Sequence, residues 1–291
     1  MQPLFNYIGL IGKHESDTAC GALARLNAYL GQQGYRVLIT QDTAAICGGG
    51  DSEVVTLTEM GQRADLVIVF GGDGTMLNAA RTLAPFGVPL IGVNQGRLGF
   101  LADVPVDAML PLLSAMLAGE HQVEERILLD CRVEYSDGVA AVTRSAFNDV
   151  VVSKGATGRL IEFEVYIDDQ FVYSQRADGL VISTPTGSTA YALSAGGPIL
   201  HPTLEAVVLA PICPHTLSAR SIAVNSRFEI EVNLIHADDA RVHFDGQDHM
   251  DLNIGSRVII NRAEKHVRLL HPRDHNYYDT LRQKLHWGKK L

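Results

Sequence analysis

The chain has 291 residues, a formal net charge of -9, 46% hydrophobic and 20% charged residues. This balance predicts a globular chain that buries a substantial core, in one large domain or two. It excludes a non-specific nucleic-acid binder, which needs a basic field. No apolar window reaches membrane-span length and the first residues carry no basic, then apolar, leader, so no membrane partner and a cytoplasmic location are expected.

The four cysteines, Cys20, Cys47, Cys131 and Cys213, lie far apart with no CxxC pair, and reduced thiols are the expectation. In chain order, residues 7–12 read as a buried strand. After a polar loop, Asp17 or Thr18 is placed to cap a helix through Leu23, Leu26 and Leu30, stopped by Gly31 and Gly34. Residues 35–40 form a second strand, and the small, glycine-rich segment 44–50 reads as a loop. Residues 66–70 (LVIVF) are apolar throughout, as a strand covered on both faces requires. A glycine loop, a helix from about 76 to 83, a strand at 89–93 and a helix at 107–117 follow. This alternation predicts βαβ units with a parallel sheet.

Near Glu124 the pattern changes. Ile161, Phe163, Val165 and Ile167 alternate with polar residues, as do Phe228, Ile230, Val232 and Leu234, which gives strands with one wet face. Turn residues stand at Asp137-Gly138 and Asp168-Asp169, and the runs 258–260 and 267–270 continue the theme. The expected fold is therefore an α/β N-terminal domain over residues 1–123, with a parallel sheet flanked by helices. A mostly antiparallel, sandwich-like β domain follows over 124–270. A tail over 271–291 ends in a short helix near 277–285.

Gly71-Gly72-Asp73-Gly74-Thr75 sits between a buried strand and a helix. Ligands of open α/β sheets bind at that strand end. Glycines admit a phosphate close to the backbone, and the helix N-terminus adds free N–H groups. Thr75 is placed to cap the helix or touch phosphate. A carboxylate beside phosphate repels it unless it has a task. Asp73 either orients a metal or takes a proton from an attacking hydroxyl; as a lone turn residue it would merely cap the helix. The loop is neither GxxxxGK[ST] nor GxGxxG and lacks a lysine, so a metal or distant residues must neutralise the phosphates.

Further motifs come after it. Segment 94–100 (NQGRLGF) follows the next strand; Phe100 is placed to stack on a base or fill the core, and Arg97 to pair with phosphate or be solvated. Asn148-Asp149 precedes an apolar run and suits an adenine edge and ribose hydroxyls, or a turn. Asp178 leads to a hydroxyl-rich stretch, Thr184-Pro185-Thr186-Gly187-Ser188-Thr189-Ala190-Tyr191, where Ser188 or Thr189 is placed to cap a helix. Asp245-Gly246-Gln247 reads as a hairpin turn. The histidines show no metal-ligand spacing, and His201, His215, His243 and His249 are expected at the surface or in the core.

Together these motifs resemble the NAD kinase family, bacterial members in particular, over nearly the whole chain. The glycine loop alone also occurs in diacylglycerol and sphingosine kinases and in phosphofructokinases; its combination with 94–100, 178–191 and 245–247 is more specific. The resemblance implies NAD bound between the two domains, ATP as phosphoryl donor, a divalent cation that is usually magnesium, and a homodimer or homotetramer. It implies that Asp73 takes the proton from the ribose 2′-hydroxyl, and that Gly71, Gly72, Gly74 and Thr75 form the phosphate loop. It places Asp73, Gly74, Phe100, Asn148, Asp149, Asp178, Thr189, Ala190, Tyr191, Ala192, Leu193 and Ser194 at the dinucleotide site. Arg176 stands beside it, with Arg159 and Gln247 at its periphery. Asp149 stands where the family usually has glutamate, one methylene longer. A lipid kinase of the related fold would call for an apolar acceptor pocket or a membrane-binding surface, and the sequence offers no basic amphipathic helix. A non-catalytic dinucleotide sensor would not need Asp73.

Overall fold

The computed structural model describes residues 4–12, 17–96, 98–156 and 158–288. The expected polar loop at 13–16 and Arg97 lie outside them, as do the side chains of Asp17 and Thr18. Two compact units emerge: residues 1–125 with 267–291, and residues 126–266.

In the first unit the elements run β1 (Tyr7–Gly12), α1 (Asp17–Gln32), β2 (Arg36–Thr40), α2 (Gln41–Cys47), β3 (Glu53–Val55) and α3 (Leu57–Arg63). They continue with β4 (Leu66–Phe70), α4 (Asp73–Leu83), β5 (Leu90–Asn94), β6 (Val104–Pro105), α5 (Met109–Leu117) and β7 (His121–Arg126). The sheet order is β3-β2-β1-β4-β5, followed by the strand Val267–Pro272 and β7, with β6 beside β5. Neighbours from β3 to β5 are parallel. The order reverses between β1 and β4, and their carboxyl ends therefore flank the crevice where such sheets bind ligands. Ile8, Leu10, Leu66, Ile68, Phe70, Ile91 and Val93 pack with Leu23, Leu26 and Leu30 of α1. Each such buried side chain stabilises the fold by about 1.5–3 kcal/mol. Thr56 and Glu59 form a capping box that starts α3.

Five expectations change here. Segment 44–50 is not wholly loop: α2 runs through Cys47, since Gln41-Asp42-Thr43-Ala44-Ala45-Ile46 contains no breaker before Gly48. The helix α1 continues past Gly31 to Gln32, and Gly34, at φ 86°, makes the exit. The helix at 107–117 begins at Met109, after a 3-10 turn at Val106–Ala108. The run 267–270 belongs to the first unit's sheet, pairing parallel with β5 through Leu269 and Leu90. Lastly, Cys20 and Cys47 form a disulfide with Cα atoms 4.9 Å apart, because the end of α2 packs beside the start of α1. Cys131 and Cys213 stay free.

The second unit contains β8 (Leu129–Glu134), β9 (Val142–Ala146), β10 (Asp149–Lys154), β11 (Ile161–Ile167), β12 (Gln170–Ala177), β13 (Gly179–Ser183) and α6 (Tyr191–Ser194). Then come β14 (Ala206–Ile212), β15 (Ile222–Asn225), β16 (Ile230–His236), β17 (Ala240–Phe244), β18 (Asp248–Leu252) and β19 (Arg257–Arg262). They form two antiparallel six-stranded sheets, β15-β14-β13-β10-β17-β18 and β12-β11-β16-β19-β8-β9. Inward residues of both sheets, among them Val150, Leu180, Phe244, Phe163, Val232 and Ile260, make one core. The second face of β10, β13 and β14 is covered as well, by Ala192 and Leu200. That explains why these strands are apolar without alternation. Asp168 and Asp169, both left-handed, turn β11 into β12. Phe228 precedes β16 and is exposed. The chain closes in the first unit with β20 (Val267–Pro272) and α7 (Tyr277–Leu285).

Candidate active site

The first unit presents the glycine loop at the end of β4. Gly72 is the N-cap and Asp73 already the first residue of α4, so the helix starts three residues earlier than the sequence suggested. A Cβ on Gly71 would lie 2.6 Å from Thr75 Oγ1, hence glycine there. The Asp73 carboxylate accepts two backbone N–H groups: Phe100 to Oδ2 at 3.1 Å and Leu101 to Oδ1 at 3.0 Å. Each carboxylate oxygen keeps a further lone pair. Gly99 permits this approach, for a Cβ there would lie 2.2 Å from Asp73 Oδ1. Asn94 fixes the same loop, donating from Nδ2 to Ala102 O and accepting the Gly96 N–H. The Phe100 ring lies beneath Lys284 Nζ, 5.6 Å from its centroid.

Beside this loop, a cavity of about 230 Å³ opens at the carboxyl ends of β1 and β2, lined by Gly12, Thr40, Asp42, Thr56, Thr75 and Asn78 among others. Its described lining is rich in oxygen donors and contains neither lysine nor arginine.

In the second unit, a cavity of about 420 Å³ is lined by Asn148, Asp149, Ala190, Tyr191, His243 and Asp245, with Val151, Ser153 and Gly246. Asp245 organises it. Held at φ 53° in the β17–β18 turn, its carboxylate accepts the N–H groups of Phe147, Asn148 and Asp149 at 2.7–3.1 Å. Asp149 returns the contact, its carbonyl accepting the Asp245 N–H. The Asp149 side chain is 4% exposed. Burial, then the Asp245 charge, pushes its carboxyl up to about 7. Near neutral pH its protonated form, which can donate a hydrogen bond as well as accept one, is therefore populated beside the carboxylate.

The hydroxyl-rich stretch packs on the same end. The Asn148 carbonyl accepts the Thr184 N–H, and a Cβ on Gly187 would lie 2.2 Å from that carbonyl oxygen. Ser188 and Thr189 do not cap a helix as expected. Ser188 Oγ donates to Pro185 O and accepts the Leu200 N–H, while Thr189 Oγ1 donates to Thr186 O. Tyr191 is partly exposed, and burial followed by nearby Cys213, Asp178 and Asp149 raises its phenol. Asp178 pairs with Lys154 Nζ at 2.6 Å.

Three expected contacts do not gather here. Ala192 faces the core, so only its backbone is available to a ligand. Arg159 pairs with Asp238. Arg176 lines another cavity of about 510 Å³ with His215 and Tyr173, because β12 lies in the other sheet. Leu193 is partly buried, and Ser194 and Gln247 lie exposed near the two turns. Sequence reasoning missed Asp245 and Lys154 as site residues. A carboxylate in an Asp-Gly turn was a signal for Asp245; for Lys154 there was none.

A family model described as the ATP-NAD kinase N-terminal domain matches residues 8–121, and one described as the ATP-NAD kinase C-terminal domain matches residues 147–272. The chain is 55% identical to an NAD kinase of Thiobacillus denitrificans and 53% identical to one of Chromobacterium violaceum, each covering 100% of both chains. Among solved structures it resembles yeast NADH kinase complexed with NADH, at TM-score 0.90 and 21% identity, covering 100% of this chain and 93% of that one. It also resembles an NAD kinase from Archaeoglobus fulgidus in complex with ATP, at TM-score 0.72 and 26% identity over 95% and 98%. On full-length identity and both domain matches, this chain belongs to the ATP-NAD kinase family.

Proposed function

We propose that the protein transfers the γ-phosphoryl group of ATP to the 2′-hydroxyl of the adenosine ribose of NAD, giving NADP and ADP, with Asp73 as general base. The observation that carries this reading is the Asp73 carboxylate, fixed at the end of β4 by the Phe100 and Leu101 N–H groups with lone pairs left for a hydroxyl. As the hydroxyl oxygen attacks phosphorus, its proton passes to Asp73 and the bond to ADP breaks. Base assistance of this kind contributes about 10²–10⁴ in rate, and positioning and charge neutralisation supply most of the rest.

The oxygen-lined cavity beside Thr75 is where the phosphates are placed. With no basic side chain among its described residues, it suits a divalent cation with oxygen ligands, and magnesium is the one proposed. Asp42, Thr75 and Asn78 are the side chains that would hold it together with phosphate oxygens. The cation would offset phosphate charge; orienting the acceptor remains the task of the chain's own residues. The proposed dinucleotide contacts are Gly74, Phe100 and the cavity of Asn148, Asp149, Ala190 and Tyr191, with Asp178, Thr189, Leu193 and Ser194 around it. Asn148 reads the base edge and Asp149 a ribose hydroxyl.

Arg176 and Arg159 lie outside that cavity, which supports the proposal that the protein is a homodimer or homotetramer in which such residues serve a neighbouring copy. A cytoplasmic location is also proposed. Among the described residues no helix is long and apolar enough to cross a membrane, while the Cys20–Cys47 bridge is the observation that speaks against a reducing compartment. The test of function is direct: purified protein with NAD, ATP and magnesium, and NADP measured by a coupled dehydrogenase. Absence of NADP with every metal and donor would overturn the reading.

A further inference from the structure

We infer that Asp103, His271 and His275 form a binding site for a divalent transition-metal ion of the zinc class, distinct from any cation that accompanies ATP. The three come from separate parts of the first unit: Asp103 precedes β6, His271 lies in β20 and His275 in the turn before α7. One ligand atom from each lies within 4.8 Å of the others. Asp103 Oδ2 stands 2.8 Å from His271 Nδ1 and 2.9 Å from His275 Nδ1, and the two rings stack with centroids 4.1 Å apart. The cluster is sheltered, with side-chain exposures of 8% for Asp103, 2% for His271 and 13% for His275.

Two observations point to an ion rather than to a closed hydrogen-bond network. Asp103 Oδ1 and His275 Nε2 are buried and have no hydrogen-bond partner among the described residues. Leaving such groups unsatisfied costs about 1–3 kcal/mol each, so this cluster is not arranged for its hydrogen bonds alone. Second, His271 Nε2 meets Glu124 Oε2 at 3.0 Å. A carboxylate behind a histidine, fixing the tautomer that leaves the other nitrogen free, is the usual support of a metal-ligating imidazole. Two imidazoles and one carboxylate form a set suited to zinc-class ions, with water completing the sphere; magnesium prefers oxygen throughout. Bonds of about 2.0–2.1 Å in a tetrahedron separate ligand atoms by roughly 3.3 Å, so small side-chain rotations from the present packing admit the ion. The ion replaces the protons now shared between the rings and Asp103, which are released.

The site would brace the catalytic loop. Asp103 lies two residues beyond Leu101, whose N–H holds Asp73, and α7, which follows His275, carries Lys284 over Phe100. The test uses the tag-free full chain, stripped with chelator, loaded with zinc chloride, desalted and assayed for bound metal. One zinc per chain is expected in wild type and in a His236→Gln control. In His275→Gln the affinity should fall about 100-fold or more, and in Glu124→Gln about 10–100-fold. Zinc, but not magnesium, should raise the melting temperature of wild type and of the His236→Gln control, and not that of His275→Gln. A wild-type chain that desalts without zinc, or a folded His275→Gln chain that keeps a full equivalent, would overturn the inference. His275→Gln is the decisive variant, since Asp103 is more deeply buried and its replacement endangers folding.

Discussion

At the scale of single residues, Asp73 and Gly99 act as a pair. Asp73→Asn should retain NAD binding while turnover drops by about 10²–10⁴, read as NADP formed per second at saturating substrates. Wild-type turnover in that variant would show that Asp73 is not the base. Gly99→Ala leaves the carboxylate but puts a Cβ 2.2 Å from Asp73 Oδ1. It should lower turnover as well, because a misplaced base costs rate even when chemically intact. Asp149 is a different case. Its pKa in the fold, about 7, lies above the ordinary 3.8, so the neutral form is favoured and stability falls as pH rises through 7. Asp149→Asn escapes that loss. The variant should melt above wild type at about pH 8.5, and the gap should close as pH falls toward about 4. A gap independent of pH would show that Asp149 is not held neutral.

At the scale of elements, the β17–β18 turn and the α1–α2 pair carry the stakes. Asp245 is at once a left-handed turn residue and the acceptor of three N–H groups. Asp245→Ala should leave those donors without their acceptor, at about 1–3 kcal/mol for each that stays buried, and lower the melting temperature by several degrees. Asp245→Asn, which tolerates positive φ and keeps one acceptor oxygen, should lose less. The Cys20–Cys47 bridge closes a segment with a sequence separation of 27, a constraint on the unfolded chain of about 3–4 kcal/mol. Alkylation of the denatured, unreduced protein should therefore label Cys131 and Cys213 but not Cys20 or Cys47. Labelling of all four would mean the bridge is absent from the isolated protein. Neither the turn's role nor the bridge was legible in sequence, because both depend on partners brought close only by packing.

At the scale of the whole molecule, assembly is the open physical consequence. Light scattering should give a mass of two or four times 31.6 kDa, and Arg176→Ala should weaken NAD binding without disturbing the fold. A fully active monomer would remove the reason to assign Arg176 to a neighbouring copy.

The sequence by itself determined the local order: the apolar run of β4, the glycine loop behind it, the alternation of β11 and β16, and the turn at Asp168-Asp169. These are readable because period, glycine and turn chemistry act between near neighbours. The combination of motifs also located the family. Only the tertiary structure decided where β20 pairs, since a short apolar strand fits either sheet until a partner is fixed. It alone turned Ala192 inward, set Arg176 apart from Asn148, joined Cys20 to Cys47, and brought Asp103 to His271 and His275. Each of these depends on contacts between residues distant along the chain, which close only when the sheets are assembled.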